Sequence, residues 1–141
     1  MPSPAEAFHA AQDQALRGSP ALVAAMGVGG KGIVTEVSTN QPVPYVIFGQ
    51  NQIILQENEG CGFMAELFAT VSWWSRKSPL DKGAQARAMG AAIIDALNTE
   101  LAVAGWDVDL WELQHERYVT DPDQSTHGMA DFRYLLTEQS A

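Results

Sequence analysis

The sequence lacks most features that would commit it to a chemistry. It holds one cysteine, Cys61, so no internal disulfide can staple the fold. No apolar run approaches the roughly 18 residues a membrane-spanning helix requires, and no basic-then-apolar leader pattern stands at the front. Basic residues are scarce, 8 Lys and Arg against 17 Asp and Glu, for a net charge of -9. A broad nucleic-acid-binding surface needs the opposite balance, because phosphate is neutralised by Lys and Arg. The expectation is a soluble cytosolic protein without membrane contact.

Motifs of catalysis are equally sparse. Gly27-Val28-Gly29-Gly30-Lys31-Gly32 has glycines and a lysine, but not the spacing, the following Ser/Thr or the preceding strand of a phosphate loop. Cys61 sits among glycines with no histidine near it in sequence, and so reads as an exposed free thiol. His9, His115 and His127 show no metal-ligand spacing. His115 and His127 could approach each other across a terminal hairpin, with Glu116 or Asp131 near, but a third ligand is undefined. The carboxylates are scattered over helix faces and loop tips, without the paired arrangement in apolar surroundings that acid/base catalysis favours. No catalytic, cofactor-binding or metal-binding residue is therefore expected, and the chain does not read as an enzyme.

What is present is a well-punctuated pattern of helices and strands. At 141 residues the chain reads as a single domain over 1–141. Ala5 to Arg17 predicts a helix closed by Gly18. Ser19-Pro20 restarts one, with Ser19 as N-cap, and Gly27 stops it. Residues 27–44 predict a flexible loop interrupted by a short edge strand at Ile33 to Val37. Tyr45–Leu55, bent at Gly49, and Phe63–Trp74 predict a long hairpin with an acidic, exposed tip over 56–62.

The stretch from Phe63 to Leu101 organises the rest. Adjacent Trp73 and Trp74 near a strand end must point to opposite sheet faces. Leu67, Ala69, Val71 and Trp73 form the better core face. The following helix has two candidate starts, at Ser78-Pro79 or after Asp81, and carries Ala86, Met89, Gly90, Ile93, Ile94, Leu97 and Leu101 toward the sheet, with Gly105 as its stop. Trp106 to Arg117 alternates with Trp106, Val108 and Leu110 on one face and Trp111 and Leu113 on the other. A turn over 120–125 leads to a last strand, Gly128 to Leu136, whose Ala130, Phe132, Tyr134 and Leu136 share an apolar face. The order gives an α+β fold: a mostly antiparallel four- to five-stranded sheet, a long helix packed on one face, and N-terminal helices. Aromatics on both faces leave two readings of the second face. Either the N-terminal helices cover it, or part of it is a subunit interface, where Trp, Tyr, Met and Arg are enriched. Arg76, Lys77, Lys82 and Arg87 gather positive charge around a helix N-terminus, against the helix dipole. That group suits an acidic partner surface, such as the Glu57/Glu59 tip of a neighbouring copy. With the aromatics Trp74 and Trp111, these residues are the candidate interface set.

The chain resembles the small tail-completion or tail-terminator proteins of long-tailed bacteriophages, prophages and gene transfer agents. The resemblance lies in the N-terminal helix and Gly-rich stretch, the Pro42–Gly49 segment PVPYVIFG, the strand ending in Trp74-Ser75-Arg76, and the Gly83-to-Leu97 helix. It closes on the final strands around Arg117-Tyr118-Val119-Thr120-Asp121-Pro122-Asp123 and His127-Gly128. Order and spacing over nearly the whole chain carry it; Trp73 and the Cys61 turn have no counterpart. The resemblance implies a structural virion protein, assembled in the host cytoplasm. It would form a homo-oligomer, a six-membered ring, on the head-proximal end of the tail tube. There it would stop the tail tube protein from polymerising and offer a docking surface to a head-completion or stopper protein. Genomic DNA would pass through the ring without specific binding. Other readings of the residues are a different neck or head-tail connector component, or a small cytosolic interaction or ligand-binding module.

Overall fold

Ser3 and Ser19 each stand where extended chain turns helical, with a proline next in line. In the computed structural model, which describes residues 3–58, 62–76 and 80–139, both are N-caps. The Ser3 hydroxyl accepts from the Glu6 amide at 3.5 Å at the start of α1 (Pro4–Arg17). The Ser19 hydroxyl accepts from the Leu22 amide at 3.2 Å at the start of α2 (Pro20–Met26), which Gly27 closes in the left-handed conformation at φ 76°. A 3-10 turn, Gly29–Gly32, leads into the short edge strand β1 (Ile33–Val34). Arg17 pins this segment, donating to the Gly30 carbonyl at 2.9 Å and the Ile33 carbonyl at 2.7 Å.

The remaining elements are β2 (Tyr45–Asn58), β3 (Gly62–Trp74), α3 (Ala84–Leu97), β4 (Trp106–Thr120) and β5 (Thr126–Glu138). They form one five-stranded sheet in the order β1-β2-β3-β5-β4, antiparallel except for the β1–β2 pair. The long hairpin is β2–β3, and its bend is a register shift between Ile47 and Gln50 at Gly49, φ 95°.

All helices lie on one side of this sheet. Val46, Phe48, Leu67, Val71, Trp73, Phe132, Tyr134 and Leu136 are buried on that face. From α1, Phe8 meets the Tyr134 ring at 4.8 Å and His9 stacks on Phe48. From α3, the Ala86 carbonyl accepts from Trp73 Nε1 at 2.9 Å, and the Leu97 carbonyl accepts from the Tyr134 hydroxyl. Gln85 ties α2 in: its Nε2 donates to the carbonyls of Ala25 at 3.1 Å and Met26 at 3.4 Å, while its Oε1 accepts from the Arg76 amide at 2.7 Å. The N-terminal helices thus double the cover on the first face, and among the described residues no helix covers the second.

Three local expectations change. The helix α3 begins at Ala84, later than either candidate start, although the Asp81 carboxylate does accept from the Gln85 amide at 3.0 Å. It ends at Leu97, capped at Asn98, not at Gly105; Leu101 keeps its burial without the helix, in an irregular stretch with Val103. On β4 the strict alternation fails because register shifts between Val108 and Leu110 and between Leu113 and His115 insert extra residues. The first turns Trp111 and Leu113 to the same side as Trp106 and Val108, and sends Leu110 to the open face.

Candidate interaction face

Side chains alternate across a sheet, so the register determines which residues share the open face. Row by row across β2, β3, β5 and β4 they are Tyr45, Trp74, His127 and Val119; Ile47, Ser72, Met129 and Arg117; Gln50, Thr70, Asp131 and His115; Gln52, Phe68, Arg133 and Glu112; Ile54, Glu66, Leu135 and Leu110. The middle rows are polar and satisfied among themselves. Arg133 bridges Glu66 at 2.7 Å and Glu112 at 3.3 Å, and the hydrogen bond it donates to Glu66 chiefly holds its guanidinium pKa above the ordinary value. Asp131 accepts from Thr70 at 2.5 Å and pairs with His115 at 2.9 Å. Around this centre Ile47, Phe68, Met129, Leu110 and Leu135 are only half-buried, and Val119 is 52% exposed. Cross-strand polar pairs inside an apolar frame help lock the register.

One end of this face is an aromatic slab. Trp74 lies between Tyr45, with centroids 4.7 Å apart and planes at 20°, and His127, at 4.1 Å and 8°. Burial is the main reason the His127 pKa falls below 6.5; Asp121 opposes the shift and Arg117 adds to it. Burial and then the Asp121 charge raise that of Tyr45. Beside the slab, Gln41, Pro42, Val43, Asp121, Asp123 and Ser125 complete a groove of about 580 Å³. Its acidic loop is held by Ser125, whose amide and hydroxyl both donate to Asp123, at 3.0 and 2.6 Å.

The structure separates the expected interface residues into distinct places. Trp74 belongs to the slab. Arg76, Lys82 and Arg87 gather at the same end of the sheet around the start of α3. There Arg87 donates to the Lys82 carbonyl at 2.9 Å, and Lys82 holds a left-handed backbone at φ 55°. Glu57 is exposed at the opposite end, across from Phe63. The 13-residue β3 spans roughly 40 Å between these ends. Trp111 is 39% exposed but faces the helix side, so it shares no patch with Trp74. Glu59, Cys61 and Lys77 lie outside the described residues. His115 and His127 both project from the open face, but His127 is opposite Val119 and His115 is opposite Asp131. Among the described residues no group of three or more His, Cys, Asp or Glu could hold a metal, and no helix is long and apolar enough to cross a membrane.

Sequence reasoning missed Tyr45, His127 and Asp121 as neighbours of Trp74. Only the strand register, shifted at Gly49, brings them together. It also missed Leu80, which is 90% exposed just before α3.

Residues 13–137 match the protein family described as "Tail completion protein gp17". Among solved structures 21 chains match. One is from "Virion of native gene transfer agent (GTA) particle", with 20% sequence identity and a TM-score of 0.77, over 97% of this chain and 99% of that one. At that identity the likeness is one of fold. No curated protein matches the chain.

Proposed function

Because this chain belongs to the tail completion protein gp17 family, we propose that it is a tail terminator. Six copies close into a ring on the head-proximal end of the tail tube, block further addition of tube protein, and present the opposite surface to a head-completion protein. The role is structural, not catalytic, and its place is the virion, after assembly in the host cytoplasm.

The observation that carries this reading is the open sheet face, with half-buried apolar residues around a cross-linked polar centre. The β4 edge offers no comparable surface, because it is interrupted by register shifts and carries Asp107, Asp109, Glu112, His115, Glu116 and Arg117, and an irregular, charged edge opposes strand addition. At the other edge β1 pairs only with Val46 and Ile47, so among the described residues β2 beyond Gly49 is left as a second open edge. A face meeting a different flank of the next copy is a heterologous contact, and repeated by rotation it closes a ring. The net charge of -9 suits a ring that DNA traverses without adhering.

The acidic tip at Glu57 and Glu59 and the 27–39 loop, whose Val28 and Val37 are exposed, are the further contacts we assign to neighbouring copies, tube or neck. A direct test is the length of tail tubes polymerised from purified tube protein with and without this chain. Tubes that stop growing and carry it at one end fit the proposal. Tubes that grow equally long and bind none of it contradict it.

A further inference from the structure

The groove beside the aromatic slab and the exposed Leu80 lie at the same end of the molecule, the groove next to the open face and Leu80 just before α3, which packs on the other face. We infer that, in the ring, Leu80 and the residues that follow it into α3 of one copy seat in the Tyr45–Trp74 groove of the next. Leu80 enters the groove, and Arg76 and Lys82 face the Asp121 side of it. The inference rests on the ring reading and supplies its contact.

The chemistry of the two patches is complementary. The groove has an aromatic and aliphatic wall, from Tyr45, Trp74, Pro42 and Val43, with the carboxylates of Asp121 and Asp123 at its margin. An apolar side chain flanked by cations fits such a surface, with the apolar part against the aromatic and aliphatic wall and the cations toward the carboxylates. Leu80 is that side chain: at 90% exposure it is the barest large hydrophobic residue among the described residues. The described ion pairs engage Arg17 with Asp13, His115 with Asp131, and Arg133 with Glu66 and Glu112; neither Arg76 nor Asp121 takes part in one.

Position supplies the second argument. The Ser75 amide donates to the Thr126 carbonyl and the Thr126 amide to the Ser75 hydroxyl, both at 3.0 Å. These bonds hold the start of the Arg76 segment level with the 121–125 loop. A rotation axis relates points at equal height, so complementary patches at one end of the strands meet when the strands run along the ring axis. The Glu57 tip, roughly 40 Å away at the other end, would meet the basic group only if the strands ran around the ring.

Two pairs of cysteines separate these arrangements. In a Cys61→Ser background, Leu80→Cys with Val43→Cys, treated with a short bismaleimide, should give a ladder of linked copies ending at six. Leu80→Cys with Glu57→Cys should give none. Leu80→Asp, at a site whose exposure spares the fold, should weaken ring formation at least tenfold while leaving the monomer's circular dichroism and melting unchanged. Arg76→Asp and Asp121→Arg should each weaken the ring, and together restore it. Wild-type rings that tolerate Leu80→Asp and both charge reversals, or a ladder from the Leu80/Glu57 pair alone, would overturn this contact and leave the ring standing. A wild type that stays monomeric with and without tube protein would overturn both.

Discussion

A methyl group added at position 128 would sit 2.3 Å from the indole of Trp73, and one at position 90 would sit 2.1 Å from the Tyr118 hydroxyl and 2.8 Å from the same indole. Trp73 is thus seated between a strand glycine and a helix glycine, with its Nε1 donating to Ala86. Gly128→Ala must displace a fully buried ring, and the cost expected for overpacking is about 1–3 kcal/mol. Urea unfolding should show this as a lower midpoint at unchanged slope. The sequence displayed Gly90 in the apolar stripe of α3 and Gly128 at the head of a strand, but not that they flank one tryptophan, since register alone pairs Trp73 with Gly128. His127 gives a pH signature. Its pKa is lowered in the fold, so the unfolded chain binds more protons as the medium acidifies. Its contribution is complete above about 6.5 and is lost as pH falls toward the folded value. Stability measured from pH 7.5 to 5 should therefore fall, and His127→Gln should flatten that part of the curve.

At the scale of elements, Gln85 joins three of them, serving the carbonyls at the end of α2, the amide after β3 and the first turn of α3. Gln85→Leu keeps the volume but strands the Ala25 and Met26 carbonyls and the Arg76 amide, and each buried polar group left without a partner costs about 1–3 kcal/mol. Thermal unfolding should show a lower Tm, and hydrogen exchange should rise first at the Arg76 amide. Caps, hairpin and core faces were legible because their signals are local: Ser-Pro at each helix start, Gly27 at a stop, alternation along β3 and β5. The β4 faces were not, because one extra residue at Asp109 reverses the alternation without changing composition. The end of α3 was misread for a related reason. Leu101 continues the helical spacing in a segment that is buried but irregular.

At the scale of the whole molecule the layout is polar in two senses. Among the described residues the helices occupy one face of the sheet and leave the other open; along the strands, Glu57 lies at one end and the slab, groove and basic group at the other. The order of elements, and with it the family, was legible from turn residues and spacing across the chain. The groove was not, since Tyr45, Trp74, Asp121 and His127 come from separate segments and meet only in the folded sheet. Nor was the placement of both N-terminal helices on the already apolar face, which left the second face bare. The central claim is that this bare face and its flanks close copies into a ring. The measurement that tests it most directly is the solution mass by light scattering across a concentration series, alone and with tail tube protein. The account predicts a particle six times the 15.2 kDa of the chain, formed either by the chain alone or once tube protein is added. A chain that stays at its monomer mass at every concentration, and is indifferent to the tube protein, would contradict it.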